Sequence, residues 1–190
     1  MLCPMDFKIG IIGGGQLGKM LAQDAKKFNF SVTVIDPTPP CPAYSLVDRQ
    51  IVAGFYDEDK IRELVVNSDI TTFEIEHINT QVLKELQAMG HKIYPSPEVL
   101  EIIQNKAKQK QMLDEYGIPT ARWAMVEGDI GEAANKFGLP AVQKACKGGY
   151  DGRGVFVIQK GTVSSYLNQR LGEFLSNQVQ YLEKSGMGKR

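Results

Sequence analysis

The chain has 190 residues, of which 43% are hydrophobic and 23% charged, a balance that supports a buried core and excludes an intrinsically disordered polar tract. Lys and Arg total 22, Asp and Glu total 22, and the formal net charge is zero. Without a basic excess the chain has no global electrostatic footprint for nucleic acid or anionic lipid, so neither is expected as a partner, and any anionic ligand needs a local site.

In chain order, residues 7–12 (FKIGII) read as a buried strand, and the glycines Gly13–Gly15 follow it. From Gln16 to Phe28, the spacing of Leu17, Met20, Leu21 and Ala25 predicts a helix with these residues on one face. Residues 31–35 (SVTVI) form a second strand, closed by Asp36-Pro37, and Pro39, Pro40 and Pro42 make the following segment an irregular loop. Strands are predicted at 50–53, 70–74 and 91–94, separated by helices at 57–67 and 79–89. This alternation predicts a doubly wound parallel sheet covered on both faces. Tyr94-Pro95-Ser96-Pro97 ends the unit. A helix then runs from about Pro97 to Tyr116 with a break near Asn105, and Gly117-Ile118-Pro119 stops it. The remaining strands, near 122–126, 141–146, 154–159 and 179–183, with helices near 129–137 and 162–176, flank glycine-rich turns and suggest an antiparallel α+β piece. The boundary is placed near residue 96, giving domains 1–96 and 97–190.

Cys3, Cys41 and Cys146 are odd in number and widely spaced, which argues against a zinc pattern or a disulfide framework and for reduced thiols. No apolar h-region opens the chain and no apolar run approaches a membrane span, so the expected location is cytoplasmic, away from membranes.

Three motifs carry chemistry. Gly13 to Gly18 (GGGQLG) is a GxGxxG between a strand and a helix, a geometry that brings a ligand close to the backbone and presents helix N–H groups to an anion. By itself it fits a dinucleotide, a phosphorylated substrate or simple tight packing. Asp36, at the end of the second strand, stands where an NAD enzyme would bind ribose hydroxyls. Phe73-Glu74-Ile75-Glu76-His77 lies at the C-terminal end of a parallel strand, where α/β sheets place ligands. Glu74 and Glu76 there could bind substrate amines or hydroxyls, or cap the helix that begins near Asn79, while His77 reads as a solvated loop residue. Strand alternation would set Glu74 and Glu76 on one face. The third motif, residues 143–154, is a strand bearing Lys144, a loop rich in glycine, and a second strand. From Lys144 to Gly154 it holds four glycines, two lysines and one arginine. Such a loop can fold over a triphosphate with backbone N–H donors, and Lys144 and Arg153 supply positive charge. It is neither a Walker loop nor a kinase loop.

Taken in order, GGGQLG, Asp36-Pro37, Pro42-Ala43, Phe73-Glu74-Ile75-Glu76, Pro95-Ser96-Pro97, Lys110-Gln111, Pro119-Thr120 and Gly148 to Gly154 (GGYDGRG) resemble the 5-(carboxyamino)imidazole ribonucleotide synthase family. These are the ATPase subunits of phosphoribosylaminoimidazole carboxylase, within the ATP-grasp superfamily. The resemblance covers residues 8 to about 158. It implies an α/β fold, a Rossmann-like (pre-ATP-grasp) parallel sheet domain followed by a partial ATP-grasp α+β subdomain. It also implies ATP and magnesium as cofactors, aminoimidazole ribonucleotide and bicarbonate as substrates, and a homodimer. ATP would be held by Lys106, Lys144, Gly149, Tyr150, Asp151, Gly152, Arg153, Gly154, Val155, Glu183 and Lys184. The ribonucleotide would meet Gly13, Gly15, Gln16, Leu17, Gly18, Glu76, Tyr150 and Arg153. On this reading the front cleft does not take NAD, and Asp36 is structural or on the substrate side. The chain departs from the family at Asn105 and Lys106, where aspartate and arginine are common, at Val155, and over residues 163–178.

In the family, the part beyond the counterpart of Arg190 supplies the Glu and Asn ligands to magnesium. The resemblance therefore implies no metal site and no complete catalytic set in these 190 residues, and no turnover by the chain alone. Three function classes stay open: the front part of the ligase, a non-catalytic binding or interaction module derived from it, and an NAD-binding oxidoreductase fragment. The last lacks any visible acid–base pair after the front domain.

Overall fold

Residues 7–148, 154–161 and 180–184 are described by a computed structural model, which divides the chain into two units, Met1–Glu101 and Ile102–Arg190. In the first unit, β1 (Lys8–Ile12), β2 (Ser31–Ile35), β3 (Arg49–Ile51) and β4 (Ile70–Phe73) form a parallel sheet in the order β3-β2-β1-β4. The order reverses at β1, and such a switch point opens a crevice at the carboxyl ends of the central strands. Here those ends are Ile12 and Phe73, which lie in register.

The two faces of this sheet bury different residues. On one face Ile12, Ile35 and Ile51 pack against Ile61, Leu64 and Val65 of α2 (Glu58–Val66) and Val82, Leu83 and Leu86 of α3 (Thr80–Ala88). Asp57 caps α2 by accepting from the Lys60 N–H, and Asn79 caps α3 by accepting from those of Gln81 and Val82. Both side chains thereby satisfy helix-end donors that would otherwise lack partners. On the other face Ile11, Val32 and Val34 pack against Ala22 and Ala25 of α1 (Gln16–Lys26) and against Cys41 and Ala43 of the proline-rich loop.

Two expectations are corrected in this unit. Helix α1 buries Gly18, Ala22 and Ala25, whereas Leu17, Met20 and Leu21 are 57%, 53% and 42% exposed. The cause is proximity: a Cβ on Gly18 would lie 2.2 Å from the Gly13 carbonyl oxygen, so only small residues fit along the contact line. Residues 91–94 form an isolated bridge, Thr71 with Ile93, rather than a strand. Thr71 N–H donates to Lys92 O and Tyr94 N–H to Thr71 O. Pro95 then has no N–H with which to extend the ladder.

Helix α4 (Pro97–Ile103) carries the division between the units, and its Leu100 packs into the α2/α3 core. The predicted break follows: Asn105 caps α5 (Lys106–Glu115), its Oδ1 accepting from the N–H groups of Ala107 and Lys108. The second unit is an antiparallel sheet in the order β5-β8-β6-β7, made of β5 (Trp123–Met125), β6 (Ala141–Ala145), β7 (Val155–Ile158) and β8 (Gln180–Lys184). Ala124, Ala141, Phe156, Ile158 and Leu182 face α6 (Ile130–Phe137), packing on Ile130, Ala134 and Phe137. The predicted helix near 162–176 lies outside the described residues.

Candidate functional site

At the switch point the glycine loop is held by carboxylates. Gly13, at φ +104°, donates its N–H to Ile35 O at 2.9 Å. Gly14 N–H donates to Asp36 Oδ2 at 2.9 Å, and Gly15 N–H to Glu74 Oε1 at 3.0 Å. The remaining Asp36 oxygen accepts from Thr38 N–H at 2.8 Å, and Asp36 is only 7% exposed. Its two oxygens are thus turned inward onto backbone donors, away from any ribose in the cleft, which argues against the dinucleotide reading. The glycines serve the same packing. A Cβ on Gly13 or Gly15 would fall within 2.8 Å of the Glu74 side chain, and one on Gly14 within 2.5 Å of Cys41 Sγ.

Glu74 therefore closes the loop from below. The chain is irregular after Phe73, so strand alternation does not carry on to Glu76, which is exposed, with His77 Nε2 3.4 Å from its carboxylate. Neither glutamate caps α3; Asn79 does. Gly13 and Gly18 are buried, Gly15 is half-buried, and Gln16 and Leu17, in the first turn of α1, are exposed. The donors of that first turn have no acceptor within the helix.

The second constellation lies in the other unit, on the sheet face opposite α6. Registers Trp123↔Glu183↔Val142↔Val157 and Met125↔Tyr181↔Lys144↔Val155 put these residues on one face. Helix α5 covers the β5/β8 side of it, with Ala107 packed near Tyr181, Cys146, Trp123 and Met125. On the β7 side Val155 and Val157 are 44% and 40% exposed. In the middle, the Glu183 carboxylate is shared between two lysines, Oε1 accepting from Lys110 Nζ and Oε2 from Lys144 Nζ. Burial alone would push the Glu183 carboxyl up; the bonds from Lys110 and Lys144 outweigh it and hold it below the usual carboxylate range. Burial likewise raises the Cys146 thiol, which disfavours its thiolate form.

Lys144 and Glu183 are joined directly. Lys106 is exposed at the first position of α5 and shares no bond with them, but its backbone N–H donates to Cys146 O at 2.8 Å, placing the start of α5 beside the end of β6. Gly154, at φ +71°, accepts from Ala145 N–H and leads into Val155, opposite Lys144. Lys184 ends β8 opposite Ala141. Gly149, Tyr150, Asp151, Gly152 and Arg153 lie outside the described residues. Sequence reasoning missed Lys110 as a site residue, although Lys110-Gln111 belongs to the quoted pattern, because a helical lysine reads as solvated. Among the described residues no group of three or more His, Cys, Asp or Glu side chains could hold a metal ion, and no helix is long and apolar enough to cross a membrane.

Residues 5–104 match the family model of the ribonucleotide synthetase preATP-grasp domain, and residues 111–184 match that of the ATP-grasp domain. The chain belongs to the ribonucleotide synthetase pre-ATP-grasp family. It is 41% identical over 155 residues to the N5-carboxyaminoimidazole ribonucleotide synthase of Bacillus subtilis, covering 80% of this chain and 40% of that one. Its fold is similar to the N5-carboxyaminoimidazole ribonucleotide synthetase of Thermotoga maritima (TM-score 0.81, 46% identity, 94% of this chain and 46% of that one). It is also similar to the N5-carboxyaminoimidazole synthase of Aspergillus clavatus, solved in complex with ADP and 5-aminoimidazole ribonucleotide (TM-score 0.79, 31% identity, 96% of this chain and 47% of that one). The chain thus spans less than half the length of these relatives.

Proposed function

We propose that the chain is the N-terminal part of an ATP-dependent ligase that transfers a carboxyl group from bicarbonate to the amine of 5-aminoimidazole ribonucleotide. The observation that carries this is Lys144: it stands on the sheet face that α6 leaves open, at the root of the β6–β7 hairpin, in a cluster of two lysines and one glutamate. An ammonium so placed attracts polyphosphate, and the glycine-rich sequence from Gly148 to Gly154 suits a loop that binds phosphate through its backbone. The ATP grip then consists of Lys106, Lys144, Gly149 to Val155, Glu183 and Lys184. The ribonucleotide meets Gly13, Gly15, Gln16, Leu17, Gly18 and Glu76; Tyr150 and Arg153 are assigned to it on the family resemblance alone. Support for both ligands comes from the Aspergillus clavatus relative, whose complex holds ADP and 5-aminoimidazole ribonucleotide.

Lys144 orients phosphate oxygens. The Glu183 carboxylate beside Lys144 has both oxygens bonded to lysines, so the described residues do not fit magnesium. Bicarbonate and a homodimeric assembly belong to the same reading, on the strength of the family alone. Titration calorimetry tests it. The 190-residue chain should bind ATP, and Lys144→Ala should weaken binding by about tenfold or more, the worth of one charge-assisted hydrogen bond. A chain that binds ATP equally well without Lys144 refutes the assignment.

A further inference from the structure

Glu183 is a single carboxylate between two ammonium groups, and the two are not equivalent. The Lys110 side chain is 11% exposed and that of Lys144 is 32% exposed. A lysine has three donors. Lys110 directs its Nζ to Glu183 Oε1, to Thr120 Oγ1 at 2.6 Å and to Ala121 O at 3.5 Å. With its Nζ on these three protein oxygens it is not free to turn toward a ligand. Lys144 donates to the other Glu183 oxygen and is the one of the pair with a solvent-facing side chain. The charges sum to one net positive.

We infer that Lys110 is a positioning residue for the anion grip: by claiming one oxygen of Glu183 it prevents that carboxylate from fully neutralising Lys144, so that a positive charge remains at the root of the β6–β7 hairpin. The inference rests on the reading of Lys144 as a phosphate-binding group and deepens it. With Lys110 removed, Glu183 and Lys144 form a one-to-one pair whose field cancels at a distance. The ligand would then have to compete with Glu183 for the ammonium. With both Lys110 and Glu183 made neutral, Lys144 regains its charge without its inner partner. A role for Lys110 in packing alone predicts no such recovery, because the double variant loses more native contacts than the single one.

The experiment uses the full 190-residue chain, with ATP and inorganic tripolyphosphate as probes, the second removing any contribution from adenine. Lys110→Met should weaken tripolyphosphate binding by about tenfold, and Lys110→Met/Glu183→Gln should restore it to within about threefold of the parent chain. Glu183→Gln alone, which leaves both lysines, should bind tripolyphosphate more tightly than the parent; this arm stands even if Lys110→Met does not fold. Full affinity in Lys110→Met, no recovery in the double variant, or unchanged or weaker binding in Glu183→Gln each overturns the inference while leaving the Lys144 reading intact. A parent chain that binds neither probe overturns both.

Discussion

Replacing Gly18 by alanine is the sharpest test of how the front loop is built. The new Cβ would lie 2.2 Å from the Gly13 carbonyl oxygen and 3.1 Å from its carbon. Ordinary contact requires a shift of roughly 1 Å or more, and the obstacle is backbone rather than a flexible side chain. That backbone is pinned on each side, through Gly13 N–H on Ile35 O, Gly14 N–H on Asp36 and Gly15 N–H on Glu74. Overpacking of this kind costs about 1–3 kcal/mol, and the rigid obstacle points to the upper end. Alanine in a helix returns about 1 kcal/mol relative to glycine, which leaves a net loss of roughly 2 kcal/mol. For a unit of this size the melting temperature should fall by roughly 8–16 °C. Gly54→Ala is the control, since a Cβ there meets nothing within 4 Å and should change stability by less than about 0.5 kcal/mol. Far-UV circular dichroism gives the melting points, and hydrogen exchange over residues 8–35 localises the effect. A Gly18→Ala chain that melts within about 2 °C of the parent would show that α1 is not held against the loop.

Two further outcomes follow from the same contacts. Asp36→Ala leaves the Gly14 and Thr38 N–H groups without their acceptor and should cost about 1–3 kcal/mol, while neither the parent nor the variant binds NAD in calorimetry; NAD affinity that vanishes with Asp36 would reinstate the oxidoreductase reading. Burial, reinforced by the charges of Glu183 and Cys146, pushes the Tyr181 phenol up to about 12 from an ordinary 10.0. Tyr181 should therefore ionise late in a titration followed at 295 nm, and the late component should be absent from Tyr181→Phe. Because the folded value is raised, this group's contribution to stability is complete below pH 10 and is lost as the pH climbs toward 12. Tyr181→Phe should flatten that alkaline loss, and an unchanged alkaline slope would refute the assignment.

What the sequence reveals and what it hides divide along the distance between interacting residues. The strands of the front sheet, α2, α3 and the break at Asn105 are legible because hydrophobic period and capping chemistry are local signals. The buried face of α1 is not, because apolar spacing says nothing about how closely a helix approaches a strand, and Gly18 sets that distance. The candidate site is harder still. Lys144 and Glu183 can each be named from the sequence, but their bond spans 39 positions, and that of Lys110 to Glu183 spans 73. Glu74, equally readable as a cap or a substrate ligand, becomes a loop anchor only through Gly15, 59 residues away. This changes what the GxGxxG pattern means. The spacing encodes a backbone that something must approach closely, and a dinucleotide phosphate is only one such group. Here Asp36 and Glu74 are those groups: they take the N–H donors of Gly14 and Gly15, and Glu74 and Cys41 fill the space the missing side chains leave. A phosphate added at those same two donors would meet two carboxylates at hydrogen-bond range, an arrangement that like-charge repulsion opposes. The loop is therefore built against a pyrophosphate laid across Gly14 and Gly15, and an anionic ligand at this end of the sheet must use the donors that Asp36 and Glu74 leave open, in the first turn of α1.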